Sequence, residues 1–258
     1  MSTLPRSPAV HTYGPDPDQR AELWLPATPP PWPVVVLIHG GFWRARYDLD
    51  LMRPLAADLA GRGMAAWNLE YRRVGQPGGG WAGTVHDVAA GIDALAGAHP
   101  GLDLDRVAVV GHSAGGHLAL WAAGTPLPGT APRAVAVAAV VSLAGVADLE
   151  AGAAQGLSDG AVAAFLGAHP AEAPERYLAA SPIARVPLGV PQLLVHGDAD
   201  DVVPVGHSRD YAAAATAAGD AAELLELRGV DHFAVIDPAS DAWAATAKWL
   251  ASWLAALP

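Results

Sequence analysis

The sequence predicts an α/β fold in which a mostly parallel central sheet is covered by helices on both faces. Three observations carry this. Apolar strands alternate with helical stripes along nearly the whole chain. The strands are continuous apolar runs, such as "VVVLI" at 34–38, rather than alternating ones, so both faces of the sheet are expected to be buried. The 258 residues, 52% hydrophobic and 16% charged, can supply the large core that such a sheet needs.

The elements follow in chain order. After a Pro-rich lead-in, residues 10–13 and 21–25 flank "GPDPDQ", whose Gly, Pro and Asp predict a turn between two short strands. "TPPPWP" at 28–33 is a stiff connector into the strand 34–38. Leu51, Met52, Leu55, Leu59 and Ala60 recur at helical spacing behind Asp48 or Asp50 as a cap, and Gly61 or Gly63 stops that helix. "MAAWNLEY" is a strand, "GQPGGG" a loop, and Val85, Val88, Ala89, Ile92 and Leu95 a helical stripe. Strand 106–110, helix 114–124 and strand 134–143 come next. The tail repeats the alternation: strand 192–195, helix near 208–218, strand 223–227 and helix 241–254. Ligands of such sheets lie beyond the carboxyl ends of the strands. Only residues 147–187 fall outside the alternation, and they are expected to form a small helical cap within a single domain spanning 1–258.

Composition excludes several functions. A net charge of −11 disfavours nucleic acid and anionic membrane surfaces as partners. The absence of cysteine removes disulfides, thiolate nucleophiles and Cys-ligated metals. No His-Glu-x-x-His or similar cluster occurs, so neither a metal nor another cofactor is expected. The N-terminal stretch lacks an apolar core of signal-peptide length, no apolar run reaches the length of a membrane span, and a cytoplasmic location is expected.

The chemistry is read from loops. Strand 106–110 runs into Gly111-His112-Ser113-Ala114-Gly115, a G-x-S-x-G pattern between strand and helix. A serine on so tight a turn forces its neighbours two before and two after to be very small, and both are glycine. The helix that follows places backbone N–H groups near developing negative charge. "HGGFW" at 39–43 ends the earlier strand with glycines that let backbone approach an oxyanion closely. The Ala114 amide and an N–H of this loop are the candidate donors, and the resemblance of the two motifs to those of α/β-hydrolases implies Gly41 and Phe42 within the loop. Trp43, with Phe42 and Tyr71, is expected to wall a compact substrate pocket.

A serine nucleophile needs a base and an orienting acid. After strand 192–195, "HGDADDVVP" offers Asp198, Asp200 and Asp201, with Asp148 an outside candidate. Of the ten histidines, His232 in "GVDHFAVID" follows the last strand and precedes the last helix, where the base is expected. His39, His112 and His196 sit inside loop motifs and are expected to fix loop geometry. His11, His86, His99, His169 and His207 are expected to be structural.

From Val34 to His232 the chain resembles the α/β-hydrolases. "HGGFW", "NLEYRR" followed by "DVAAGIDAL", and "ASPI" at 180–183 are similar to kynurenine formamidase-like hydrolases and their esterase relatives. Phe42 stands where hormone-sensitive-lipase relatives have a third glycine. The resemblance to H-G-x-x-D-x-x-V-P selects Asp200 as the acid. It implies an acyl-enzyme mechanism on a small ester or N-formyl aryl amide, with Ser113 attacking, His232 relaying the proton and Asp200 orienting it. A short-chain carboxylesterase of the hormone-sensitive-lipase type is the alternative within the enzyme class. A non-catalytic binding module on the same frame is the competing class, and it would be expected to have lost one of these three residues.

Overall fold

The structure is a computed structural model and describes residues 7–125 and 133–256. The first six residues of the Pro-rich lead-in lie outside the described residues. Eight strands form one sheet in the order β1-β2-β4-β3-β5-β6-β7-β8. β1 (Ala9–Thr12) and β2 (Arg20–Trp24) are the expected hairpin. The hairpin extends the sheet because β2 pairs antiparallel with β4 (Ala65–Leu69). β4, β3 (Trp32–Ile38), β5 (Leu102–His112), β6 (Ala139–Leu143), β7 (Gln192–Gly197) and β8 (Ala222–Leu227) are parallel to one another. The expectation of a mostly parallel sheet between helical layers is borne out.

The apolar runs are continuous because alternate residues serve two cores. Val34, Val36 and Ile38 of β3 face one cluster, while Val35 and Leu37 face the other. The first is covered by α2 (Trp81–Asp93), α3 (Ala114–Ala123) and α7 (Gly206–Ala217), through Val88, Ile92, Leu118 and Tyr211. The second is covered by α1 (Arg53–Gly61) and α8 (Asp241–Ala256), through Leu55, Leu59, Trp243 and Leu250. Asp48 caps the 3-10 turn leading into α1, its carboxylate accepting from the Asp50 amide.

Two strands start four or more residues from the expected position. β6 begins at Ala139, five residues late, because the amides of Ala134 and Val135 are held by Asp93 Oδ1 at 2.9 and 3.1 Å instead of by a strand. β5 begins at Leu102, four residues early, because Leu102 and Asp103 pair with Trp32 and Pro33 before a register shift.

Residues 147–187 hold α4 (Leu149–Ala154), α5 (Leu157–Leu166) and α6 (Pro174–Ala180). Asp148 caps α4, accepting from the amides of Glu150 and Ala151. α5 is interrupted by a left-handed run, Ser158, Asp159 and Gly160, with φ of 45°, 52° and 75°. Arg44, just after the "HGGFW" loop, holds that run by donating to Ser158 Oγ (3.2 Å) and to the Ser158 carbonyl. Of the bulky members of this segment, Leu149, Leu157, Phe165, Leu166 and Tyr177 are buried, while Leu178 is 54% exposed.

Candidate active site

The candidate site is assembled at the carboxyl ends of β3, β5 and β7 and from the loop after β8. β5 turns directly into α3 at Ser113, which adopts φ 56° and ψ −119°, a strained conformation for a residue with a side chain. The two flanking glycines explain how the turn closes. A Cβ on Gly111 would strike the Gly115 carbonyl, and one on Gly115 would strike the carbonyls of Ile38 and His39 at the end of β3. The Ser113 amide is tied to the Leu143 carbonyl at 2.8 Å, and Ala114 opens α3.

The "HGGFW" loop lies against this elbow. A Cβ on Gly40 would sit 3.0 Å from Ser113 Cβ and 2.9 Å from the His112 carbonyl, so only glycine permits the approach. Gly41, Phe42 and Trp43 follow with φ of 111°, 52° and 56°. Positive φ is open to glycine but is a strained conformation for Phe42 and Trp43. Among the described residues, none accepts a hydrogen bond from the Gly41 or Phe42 amide. Phe42 remains partly exposed.

The structure places Trp43 and Tyr71 elsewhere than the expected pocket wall. Both are completely buried. Trp43 stacks on Phe165 of α5, with centroids 4.6 Å apart, and donates its indole N–H to His117 Nδ1 at 3.2 Å. Tyr71 stacks on His39 at 4.4 Å and donates to the His39 carbonyl at 2.8 Å. A bulky ring after two glycines is accommodated by core packing, not by the cleft.

Asp200 and His232 are brought together. His232 Nδ1 lies 2.7 Å from Asp200 Oδ2, and both side chains are buried. Asp200 Oδ1 accepts from the amides of Val202 and Val203 at 2.9 and 2.8 Å. His196 Nε2 lies 3.2 Å from Oδ2. Burial opposes the charge of Asp200, yet the hydrogen bonds from His196, His232 and the Val203 amide outweigh it and hold the carboxyl well below the usual range. The rival carboxylates are placed differently: Asp198 accepts from the Gly229 amide, Asp201 is exposed and Asp148 caps α4.

The base loop is tied to the elbow. His112 Nε2 lies 2.9 Å from the His232 carbonyl, and the two rings are 4.7 Å apart. Burial pushes His112 down to about 3, so it is neutral and Nε2 is its protonated nitrogen. Phe233, beside His232, packs edge-on against its ring at 5.3 Å and is 54% exposed.

Sequence reasoning passed over His117, four residues beyond Ser113. It is buried, accepts from Trp43, lies 3.0 Å from the Ala180 carbonyl through Nε2, and is pushed down to about 3 by burial. The available signal was a lone polar residue in an otherwise apolar helix. Among the described residues, no group of three or more His, Asp or Glu side chains could hold a metal ion. No described helix is long and apolar enough to cross a membrane.

A serine on a nucleophile elbow, facing a glycine-rich loop on a parallel sheet, is the arrangement of the α/β-hydrolase fold. The chain belongs to the BD-FAE family, whose sequence model matches residues 22–214. It is similar to esterase LipC of Mycobacterium tuberculosis, with 32% identity over 88% of this chain and 60% of that protein. It spans about half the length of the probable carboxylic ester hydrolase LipM of the same organism, covering 46% at 31% identity. Among solved structures, an esterase of Thermogutta terrifontis with propionate bound is 25% identical, with a TM-score of 0.77 over 97% of this chain and 94% of that one. The same esterase has been solved phosphonylated by sarin. A truncated carbohydrate esterase from gut microbiota shares the fold, with a TM-score of 0.84 over 98% of each chain at 21% identity.

Proposed function

We propose that the protein hydrolyses small carboxylic esters through an acyl-enzyme. The hydrogen bond between Asp200 and His232 carries the reading, because a buried carboxylate holding one imidazole nitrogen is what a serine-activating base requires. Ser113 Oγ attacks the ester carbonyl as His232 Nε2 takes its proton. The tetrahedral oxyanion is held by the Ala114 amide together with those of Gly41 and Phe42. The proton then passes from His232 to the departing alkoxide, which leaves as the alcohol. Water, deprotonated by the same imidazole, releases the acid and restores Ser113.

Short acyl groups suit this site. Leu149, Leu157, Phe165, Leu166 and Tyr177 are spent on the core, leaving Leu178 as the exposed large apolar side chain among the described residues of this segment, too little surface to cover a long chain. Each methylene left in water forgoes about 0.8 kcal/mol. Partly exposed Phe42 and exposed Phe233 are the rings left beside the elbow and the base. The esterase relatives support the same class. The "HGGFW" loop favours N-formyl aryl amides as a second reading within the same mechanism.

A panel of p-nitrophenyl acetate, butyrate and octanoate, with N-formylkynurenine, tests the proposal. Expected is a kcat/KM that falls from acetate to octanoate. Octanoate as the best ester would contradict the small-acyl reading, and exclusive turnover of N-formylkynurenine would move the assignment to a formamidase.

A further inference from the structure

The "NLEYRR" stretch and the first histidine of "HGGFW" meet in the core beneath the candidate oxyanion loop. We propose that His39 and Glu70 form a buried ion pair that orients and polarises the Gly41 amide towards the oxyanion, making both of them positioning residues. The inference rests on the ester-hydrolase reading of the site.

Both side chains are fully buried, and His39 Nε2 lies 2.9 Å from Glu70 Oε1. The other ring nitrogen, Nδ1, lies 2.7 Å from the Gly40 carbonyl. Every other group on the Glu70 carboxylate is a donor: the amides of Leu49 and Tyr71, each at 3.0 Å, and the Arg73 guanidinium at 3.3 Å. A carboxylate so surrounded has no proton to give. Burial opposes its charge, but His39, Arg73 and the Leu49 amide together hold it below the usual range. The hydrogen shared with Glu70 therefore belongs to His39 Nε2. A carbonyl can only accept, so Nδ1 carries a hydrogen as well. Two acceptors on one ring make His39 an imidazolium, paired with Glu70.

The consequence runs through one peptide unit. The carbonyl of Gly40 and the amide of Gly41 belong to the same planar trans peptide and point in opposite directions. Holding the carbonyl on His39 aims the Gly41 N–H away from the core, from a loop that lies against Ser113. Hydrogen bonds with a charged donor are the stronger ones, and they polarise the groups they bind. The stack of Tyr71 on the His39 ring, with its hydroxyl on the His39 carbonyl, fixes the ring plane. "NLEYRR" thus supports the loop from below: Glu70 supplies the counter-charge, Tyr71 the stacking face and Arg73 the tether.

The test pairs NMR with kinetics. In the wild-type protein uniformly labelled with 13C and 15N, His39 should show hydrogens on both ring nitrogens at neutral pH, its ring assigned through its own backbone resonances. Glu70→Gln keeps the shape but removes the charge and turns one of the two accepting oxygens, which hold the Leu49 and Tyr71 amides, into an amide donor. It should lower kcat on p-nitrophenyl acetate by about tenfold or more with KM little changed, a part of the 10²–10³ lost when a hole donor is deleted outright. Binding of a trifluoromethyl ketone, whose serine adduct carries an oxyanion, should weaken in parallel. A single hydrogen on wild-type His39 overturns the inference even if the variant fails to fold. Glu70→Gln with unchanged kcat and ketone affinity overturns it too. A wild type that turns over no ester and takes no phosphonate instead overturns the reading of the site, whatever protons His39 carries.

Discussion

His232 Nδ1 and Asp200 Oδ2 are 2.7 Å apart, on a carboxylate whose other oxygen already holds two backbone amides. That arrangement leaves the imidazole one orientation and one tautomer, with Nε2 free to take a proton. Asp200→Asn should therefore lower kcat on p-nitrophenyl acetate by about 10⁴. Asp201→Asn, at an exposed side chain, and Asp148→Asn, at a helix cap, should stay near wild type. Steady-state kinetics on the three purified variants checks this, and a crippled Asp201→Asn or Asp148→Asn would reassign the acid.

The elbow and the loop facing it were legible in sequence because their constraints are local. Gly111 and Gly115 bracket Ser113 within one turn, and strand 34–38 announces the loop that follows. The hairpin order was not legible, because β2 chooses β4 as its neighbour across forty residues. Nor was the burial of Trp43, which depends on Phe165 more than a hundred residues away. His196 read as a loop residue, and its second role on the Asp200 carboxylate emerges only when the turn 197–203 folds back on it.

Trp43→Ala removes a fully buried ring, its stack on Phe165 and its bond to His117. A loss of about 3–5 kcal/mol of stability is expected, as for other large aromatic-to-alanine changes in cores. Because the ring is buried among other side chains, the effect on kcat/KM should be similar for aromatic and aliphatic esters. Urea unfolding and a two-substrate comparison check it, and a selective loss on aromatic esters would return Trp43 to the pocket wall.

The glycines of the elbow should be unforgiving. Gly115→Ala sets a methyl against the carbonyls of Ile38 and His39, which belong to the strand end and cannot yield cheaply. Gly61→Ala, at the exposed end of α1 with nothing near the added methyl, should be neutral or stabilising by up to about 1 kcal/mol. Thermal melts of the pair would show it. A Gly115→Ala protein as stable and active as wild type would mean that the elbow does not close as described.

Acid should weaken the fold before its carboxylates titrate. Burial pushes His112 and His117 from 6.5 down to about 3, so the unfolded chain takes up these two protons at a pH where the folded one does not. The part of the stability that these two histidines govern is complete above pH 6.5 and falls as the pH drops towards 3, by about 1.4 kcal/mol per pH unit for each. Unfolding free energies measured from neutral pH downward check the slope, and His117→Gln should remove one proton from it. A wild-type profile that stays flat below pH 6.5 would mean that these histidines are protonated in the fold.

Covalent labelling decides whether Ser113 is the nucleophile. The protein is incubated with an organophosphonate, digested, and the modified residue located by mass spectrometry. One adduct is expected, on Ser113, appearing in step with loss of esterase activity, and a Ser113→Ala protein that folds, takes no label and loses on the order of 10⁴–10⁶ in kcat. An adduct on another residue, or a Ser113→Ala protein that still turns over ester, would contradict that role for Ser113.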